Sequence, residues 1–349
     1  MRYKIATSFG VHEQIDYQTL SSRCGLNVKD LRRILRYAMT SEIFCEPREG
    51  IVAHTAVSQV LAENPLMRDF IGNVCQIRFP ASAQAASALE KYGLSKDSNQ
   101  SGFNLSRNTS RGLYDELLHY PEESRRWNGA MSVLAQEIDF YFILESFPWT
   151  SYHDPLIVDV GGGRGDVSVG LAKHLPTASF VVQDLSQTAR EQGQRDCQAF
   201  DTQIVFEPYD FRDSQPMHGA DIYYFRNIFH NWPDQMCISI LRNQIPALKP
   251  GARLVIDDFT LHDAGTLPWT EERKRRWMDI NTLVFFGSRE RSLDEWRELL
   301  TTADPRFQLV NTKVSPFHPS TILDVVWAGE NVPGVGLQDI MVESRALRV

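Results

Sequence analysis

The amino-acid sequence predicts an α/β protein in which a helical N-terminal part precedes a mostly parallel β-sheet. From Pro155 onward, short apolar runs alternate with helical patterns, which is typical of a parallel sheet with helices on both faces. The first apolar run, in Leu156–Asp166, passes directly into a glycine-rich stretch and then into a helical pattern. A strand, a tight turn and a helix in this order form the first unit of a nucleotide-binding sheet.

The N-terminal unit, residues 1–62, has the pattern of a winged helix-turn-helix. Tyr17–Cys24 predicts a short helix, and Asn27 is a suitable N-cap for a second helix with arginines on its outer face. Phe44–Pro47 and Gly50–Ala53 predict a β-hairpin. Such a unit can bind DNA or serve as a structural and dimerising module. The net charge of −8 favours the second role, because an acidic chain repels phosphate.

Residues 63–150 predict a mostly helical region that leads into the sheet region, residues 151–349. Leu94–Asn108 is polar and contains glycine and serine, so it predicts a surface loop. Phe103 within this loop is placed to fold back over a pocket. The last part, residues 330–349, has little pattern and predicts a loose tail or a late helix.

The sheet region contains five apolar runs of strand length and a final pair of longer runs. The predicted parallel strands are Leu156–Asp159, Ser179–Gln183, Gln203–Glu207, Ile222–Phe225 and Arg253–Asp257. Phe307–Val314 and Thr321–Ala328 predict an antiparallel hairpin that closes the sheet.

Composition excludes several classes of protein. The negative net charge argues against nonspecific binding to nucleic acid or to an anionic membrane. The five cysteines are scattered without metal-ligand spacing, which predicts reduced thiols in a cytoplasmic protein. Met1–Gly10 has no apolar leader, and no run is long enough to cross a bilayer. We therefore expect neither a bound metal nor a membrane partner.

The spacing of the glycines narrows the choice of nucleotide. Dinucleotide-binding turns read G-x-G-x-x-G, whereas Gly161, Gly163 and Gly165 form G-x-G-x-G after Asp159. A shorter turn with a preceding acid suits a nucleoside cofactor that ends in an amino acid. An ordinary tight turn would have the same glycines, so the following strands decide between these interpretations.

The second and third predicted strands end in residues suited to a nucleoside. Asp184 ends the second strand about twenty residues after the turn, where an acid binds ribose hydroxyls in such folds. Asp210 and Phe211 follow the third strand and offer an acid and an aromatic ring for adenine. These positions favour nucleoside binding over an ordinary turn.

Six segments in this order resemble one family: VDVGGGRG, VVQDL, EPYDF, FRNIFHNWPD, LKPGARLVIDD and GSRERSLDEW. The chain is similar to the S-adenosylmethionine-dependent O-methyltransferases of plant caffeate and fungal polyketide type, from about Phe9 to Ala328. The resemblance implies a Rossmann-like sheet, S-adenosylmethionine as cofactor, and a phenolic or enolic secondary metabolite as substrate. It also implies a homodimer.

The chemistry of methyl transfer to a phenol requires a base. A phenol has a pKa near 10, so at neutral pH it is mostly protonated and a poor nucleophile. Histidine can accept this proton, and a carboxylate on its other ring nitrogen fixes the tautomer. The predicted fold brings His230, Asp257 and Glu290 to one rim of the sheet, at the carboxyl ends of the strands. Asp258 is an alternative to Asp257, and Glu290 could instead belong to a surface ion-pair cluster with Arg289 and Arg291.

The resemblance implies the same roles, with His230 as catalytic base and Asp257 and Glu290 as its supporting acids. The expected cofactor-binding residues are Asp159, Gly161, Gly163, Asp184, Leu185, Asp210, Phe211 and Arg226. The expected substrate contacts are Met131, Trp232 and Asn281.

Departures from the family pattern keep an alternative open. Asn231 stands where the family has Asp after the base, Asp257 replaces a Glu, and Arg226 replaces a Lys. Some fungal members of this family bind S-adenosylmethionine without transferring methyl and act as pericyclases or dehydratases. A winged-helix regulator and a nicotinamide oxidoreductase are further alternatives, which the net charge and the glycine spacing disfavour. The identity of the acceptor stays open at this point.

Overall fold

The computed structural model describes residues 2–329 apart from residues 94, 96, 136, 137, 316 and 317. The tail predicted after residue 329 lies outside the described residues. The chain divides into two compact units. The first comprises Met1–Leu94 and Asn99–Ile138, and the second comprises Ser95–Ser98 and Asp139–Val349.

The first unit is helical with a small antiparallel sheet. Its described helices are α1 (Tyr17–Cys24), α2 (Val28–Met39), α3 (Ala56–Glu63), α4 (Pro65–Asn73), α5 (Phe79–Ala83), α6 (Ala85–Tyr92), α7 (Gly102–Arg107), α8 (Leu113–Leu117) and α9 (Pro121–Ala135). Its described strands are β1 (Ile15–Asp16), β2 (Cys45–Arg48) and β3 (Ile51–Ala53), in the sheet order β1-β3-β2.

The ends of the first helices follow from capping side chains. The Asp16 carboxylate accepts hydrogen bonds from two backbone N–H groups at the start of α1, and α1 ends at Gly25, where φ is 74°. The Asn27 side chain accepts a hydrogen bond from the backbone N–H of Lys29 and caps α2. The predicted helices and hairpin are therefore present, together with a third strand, β1, that was not predicted. The identity of this unit as a winged helix stays a prediction.

The expected surface loop at Leu94–Asn108 is wrong for its second half. Helix α7 begins after Ser101, whose hydroxyl accepts a hydrogen bond from the backbone N–H of Asn104, and ends at Asn108 in the left-handed region. Phe103 is only 1% exposed. Two capping residues and one buried aromatic ring thus form a helix in a stretch whose composition is that of a loop.

The second unit contains the large sheet. Its described α-helices are α10 (Phe140–Ser146), α11 (Asp166–Ala172), α12 (Gln187–Asp196), α13 (Asp234–Gln244), α14 (Trp269–Phe286) and α15 (Leu293–Ala303). Its described strands are β4 (Leu156–Val160), β5 (Ser179–Asp184), β6 (Ile204–Pro208), β7 (Ile222–Arg226), β8 (Arg253–Leu261), β9 (Arg291–Ser292), β10 (Phe307–Val314) and β11 (Ser320–Trp327).

The order of strands confirms the predicted fold class. The sheet runs β10-β11-β8-β7-β4-β5-β6. Strands β4 to β8 pair in parallel, and β11 pairs antiparallel with both β8 and β10. Strand β8 continues past its predicted end at Asp257 to Leu261, and the short strand β9 pairs with this extension. No helix in the described part of the chain is both long and apolar enough to cross a membrane.

The register of the central strands determines which acids lie together. Arg226 on β7 lies opposite Asp257 on β8, and Asp159 on β4 lies opposite Tyr224 on β7. Successive side chains of a strand point to opposite faces of the sheet. Asp257 therefore shares a face with Arg226 and Tyr224, whereas Asp258 points to the other face.

Candidate functional site

The glycine turn between β4 and α11 is folded over a buried carboxylate. Asp159 is 3% exposed and accepts a hydrogen bond of 2.7 Å from the Ser168 hydroxyl. A Cβ atom at Gly162 would lie 2.5 Å from the carboxyl carbon of Asp159, so this position has no room for a side chain. Burial raises the pKa of Asp159 to about 6.

The same turn presents backbone to open space. Gly161 and Gly163 have φ angles of 73° and 59°, which side chains rarely allow. A Cβ atom at Gly163 would meet nothing within 4 Å, whereas one at Gly161 would lie 2.5 Å from the Ile228 side chain. The turn is therefore packed on one side and open on the other, as a backbone cradle for a ligand requires. These residues fit the expected nucleoside cofactor.

The acid that ends β5, Asp184, and the acid that follows β6, Asp210, have hydrogen-bond partners within the protein. One oxygen of Asp184 accepts the backbone N–H of Gly163 at 2.9 Å and the other accepts that of Ser186 at 2.7 Å. A carboxylate has about four lone-pair sites, so Asp184 can still accept ligand hydroxyls. Both oxygens of Asp210 accept hydrogen bonds from the Arg212 guanidinium, Oδ1 from Nε at 2.9 Å and Oδ2 from a terminal amino group at 2.7 Å.

Two further expected residues lie beside these acids. The ring of Phe211 packs edge-on against Trp232, with ring centres 5.6 Å apart. Leu185, next to Asp184, is 39% exposed. An aromatic face and an exposed leucine are suited to a nucleobase, and their contact with it stays a prediction.

The expectation that Asp257 supports His230 is wrong. The Asp257 carboxylate accepts hydrogen bonds from the Tyr224 hydroxyl at 2.7 Å, from Arg226 Nε at 3.0 Å and from the Ser320 hydroxyl. The alternation of side chains along β8 turns Asp257 away from the histidine and towards Arg226. Asp257 thus lies beside an expected cofactor-binding residue.

The acids that do contact His230 are Glu290 and Asp258. Nδ1 of His230 lies 3.0 Å from Oε1 of Glu290 and 3.7 Å from Oδ1 of Asp258. The other oxygen of Asp258 accepts the backbone N–H groups of Phe229 and His230 at 3.1 and 3.3 Å. Because side chains alternate along a strand, Asp257 and Asp258 must point to opposite faces of β8. The sequence alone does not show that β8 continues beyond Asp257, so it does not show which of the two acids faces His230.

Electrostatics of this buried cluster favour a charged imidazole. Burial of the ring opposes protonation, but the negative charges of Glu290 and Asp258 outweigh it and raise the pKa of His230 to about 9. Burial also raises the pKa of Asp258, to about 7, although the charge of His230 opposes this rise. Among the described residues, Oδ1 of Asp258 and Oε2 of Glu290 are buried without a hydrogen-bond partner.

Arg291 holds the turn that bears His230. This arginine is 1% exposed and donates hydrogen bonds to the carbonyl oxygens of Phe229 at 3.0 Å and Trp232 at 2.8 Å. It also pairs with Asp234 at 2.8 Å. The sequence indicates only a surface ion-pair cluster for Arg291, because the burial of this side chain depends on the packing of β9 against the turn. Through these hydrogen bonds, Arg291 connects the segment that carries Glu290 with the turn that carries His230.

The expected substrate contacts lie on three different segments of the chain. Trp232 is buried beside Phe211. Asn281 is half-buried on α14, where its amide donates to the carbonyl oxygen of Trp277 at 2.8 Å. Met131 belongs to α9 of the first unit. Contact of these three residues with an acceptor stays a prediction.

One group of residue types within this site can bind a metal. His230, Asp258 and Glu290 each offer one ligand atom, and these atoms lie within 4.8 Å of one another. Nδ1 of His230 is already bonded to Glu290, and this arrangement suits the transfer of a proton.

Comparison with known proteins identifies the family. A sequence model described as an O-methyltransferase domain matches residues 94–305. The grayanic acid biosynthesis cluster O-methyltransferase of Cladonia grayi is 36% identical over 334 residues, which cover 94% of this chain and 70% of that protein. The O-methyltransferase pyvH of Aspergillus violaceofuscus is 34% identical and the match covers 94% of this chain and 80% of that protein.

The fold is also shared with solved structures. The crystal structure of OxaC in complex with sinefungin and meleagrin has a TM-score of 0.77 at 22% identity, covering 93% of this chain and 85% of that chain. The resemblance found in the motifs is confirmed. The chain belongs to the O-methyltransferase family, whose cofactor is S-adenosylmethionine.

Proposed function

We propose that this O-methyltransferase methylates a hydroxyl group of a phenolic or enolic secondary metabolite, with His230 as the general base. The buried contact between His230 and Glu290, with Asp258 beside it, carries this proposal. The name of one relative, the grayanic acid biosynthesis cluster O-methyltransferase, supports a metabolite of a biosynthetic gene cluster as the substrate.

The hydrogen bond to Glu290 assigns the two ring nitrogens of His230 their roles. An ionised carboxylate can only accept, so Nδ1 carries the hydrogen and donates it to Glu290. Nε2 of the neutral ring is then the acceptor that takes the proton of the substrate hydroxyl. The imidazolium that results is stabilised by the negative charges of Glu290 and Asp258, as in a catalytic triad.

The pKa of about 9 has a consequence for turnover. A base must be neutral to accept a proton, and without ligands the ring is mostly protonated at neutral pH. A positive charge on a cofactor bound beside the ring would disfavour the imidazolium and so lower the pKa of His230. The cofactor supplies the activated methyl group. Activity should therefore rise with pH on the alkaline side of the usual histidine pKa.

The cofactor-binding residues are proposed from the geometry of the turn and the strand ends. The backbone of Gly161 and Gly163, with Asp159 beneath it, faces the amino-acid end. Asp184 receives the ribose hydroxyls. The proposed nucleobase contacts are Leu185, Asp210 and Phe211, and the proposed acceptor contacts are Met131, Trp232 and Asn281.

The decisive experiment is mass spectrometry of the products from S-adenosylmethionine and a panel of phenolic and enolic polyketides. We expect a product that has gained one methyl group, with equal formation of S-adenosylhomocysteine. His230→Gln should lower turnover by about 10²–10⁴-fold and leave cofactor affinity unchanged. A product without the methyl group, with the cofactor recovered unchanged, would replace this proposal by a pericyclase or dehydratase.

We further expect a homodimer in the cytoplasm that does not bind nucleic acid. The net charge of −8 supports the last point, because counterion release on DNA requires basic surface. Sedimentation tests the dimer. A sequence-dependent mobility shift at low salt would overturn the expectation on nucleic acid.

A further inference from the structure

We propose that Asp257 is a positioning residue that holds the Arg226 guanidinium so that it binds the carboxylate of the cofactor's amino-acid end. This inference rests on the proposed cofactor site and is independent of methyl transfer. It assigns different tasks to two acids that are adjacent in the chain, Asp257 for the cofactor and Asp258 for the base.

The Asp257 carboxylate is held from three sides. Tyr224 donates its hydroxyl at 2.7 Å, Arg226 donates Nε–H at 3.0 Å, and the Ser320 hydroxyl bonds the other oxygen. Asp257 is 1% exposed, so its position is set by β7 and β11 on either side of β8. A carboxylate fixed in this way leaves the side chain of Arg226 few orientations.

Arg226 has its remaining donors available for a ligand. Only Nε is used in its ion pair with Asp257, and the terminal amino groups make no hydrogen bond to any residue that the structure describes. The side chain is 17% exposed, against 2% for that of Asp257. The guanidinium thus bonds a buried carboxylate through Nε, and its terminal amino groups remain available to a ligand.

Arg226 lies beside the glycine turn, because Val160 at the end of β4 pairs with Phe225 on β7, the residue directly before Arg226. Burial raises the pKa of Asp159 and of Asp166, and the positive charge of Arg226 opposes the rise in both. These two acids stand just before and just after the turn. Arg226 is therefore close enough to both ends of the turn for its charge to affect a ligand bound there.

The chemistry of the cofactor matches this arrangement. Its amino-acid end carries an ammonium and a carboxylate, and the acid under the turn, Asp159, attracts only the first. A planar guanidinium offers a carboxylate two parallel N–H groups, which a single ammonium cannot do. Because the Asp257 contact engages Nε, the two terminal amino groups form the pair that faces the ligand.

The test compares two ligands by calorimetry. S-adenosylhomocysteine carries the amino-acid end, whereas 5′-methylthioadenosine has the same nucleoside without it. Asp257→Asn and Arg226→Gln should each lower the affinity for S-adenosylhomocysteine by about 10–100-fold, as expected for the loss of hydrogen bonds to a charged group. Both variants should bind 5′-methylthioadenosine like the wild type, which also shows that they are folded.

Two controls make the outcome decisive. Asp258→Asn changes the neighbouring acid on the other face and should leave the affinity for S-adenosylhomocysteine unchanged. The double variant Asp257→Asn/Arg226→Gln should lose no more affinity than Arg226→Gln alone, because both changes remove the same interaction with the ligand. Wild-type affinity in Asp257→Asn, or an equal loss for both ligands, would overturn the proposal. Neither result bears on whether methyl is transferred.

Discussion

Replacing Asp258 by Asn should lower the pKa of His230. The amide has the shape of the carboxylate and keeps an oxygen for the backbone N–H groups of Phe229 and His230. The change therefore removes a negative charge near the ring with little change of structure. At pH 9, where His230 titrates, Asp258 with its pKa of about 7 is ionised, so its full charge is lost.

The distance sets the size of the effect. Oδ1 of Asp258 lies 3.7 Å from Nδ1 of His230. Two unit charges at this separation interact by about 4.5 kcal/mol at an effective dielectric constant of about 20. A change of one unit in pKa corresponds to about 1.4 kcal/mol, so this interaction energy sets an upper limit of about 3 for the decrease in the pKa of His230. We expect the pKa of His230 to fall by about 1 to 3.

An NMR titration of the imidazole signals measures this pKa without an acceptor. His230→Gln identifies the signal of His230 among those of the nine histidines by its loss. Asp257→Asn is the matched control, because its carboxylate contacts Arg226 on the other face of the sheet. An unchanged pKa in Asp258→Asn, or an equal decrease in Asp257→Asn, would refute the assignment of Asp258 as the neighbouring charge.

Three other predictions concern stability. The raised pKa of His230 means that the folded state holds its proton more tightly, so this contribution is complete below pH 6.5 and lost as pH rises to about 9. Urea unfolding should show the decrease in the wild type, by up to about 3 kcal/mol, and a flatter profile in His230→Gln. Arg291→Lys keeps the charge but loses the planar set of donors, and should lower the free energy of unfolding by about 1–3 kcal/mol. The exposed Arg289→Lys should change it by less than about 1 kcal/mol, and similar losses in both would contradict the role of Arg291. Phe103→Ala should destabilise the first unit by about 3–5 kcal/mol in thermal unfolding, whereas a loop residue would cost little.

Local features of the sequence determined much of the fold. The glycine turn needs positive φ angles and a missing side chain at Gly161–Gly165, and both requirements are visible in the residue types. The strands of a parallel sheet are apolar on both faces, so β4, β5 and β7 stand out as continuous runs. Capping residues such as Asn27 mark the starts of helices in the sequence, because a cap acts only on the first turn of its own helix.

Tertiary structure decided which side chains meet. Asp257 and Asp258 are chemically identical in the sequence, and only the register of β8 with β7 and its extension beside β9 assigns one to Arg226 and the other to His230. A shift of one residue along a strand exchanges the two faces, so the assignment depends on pairing with distant strands. The burial of Arg291 likewise arises from contacts with a turn about sixty residues away, which no local pattern contains.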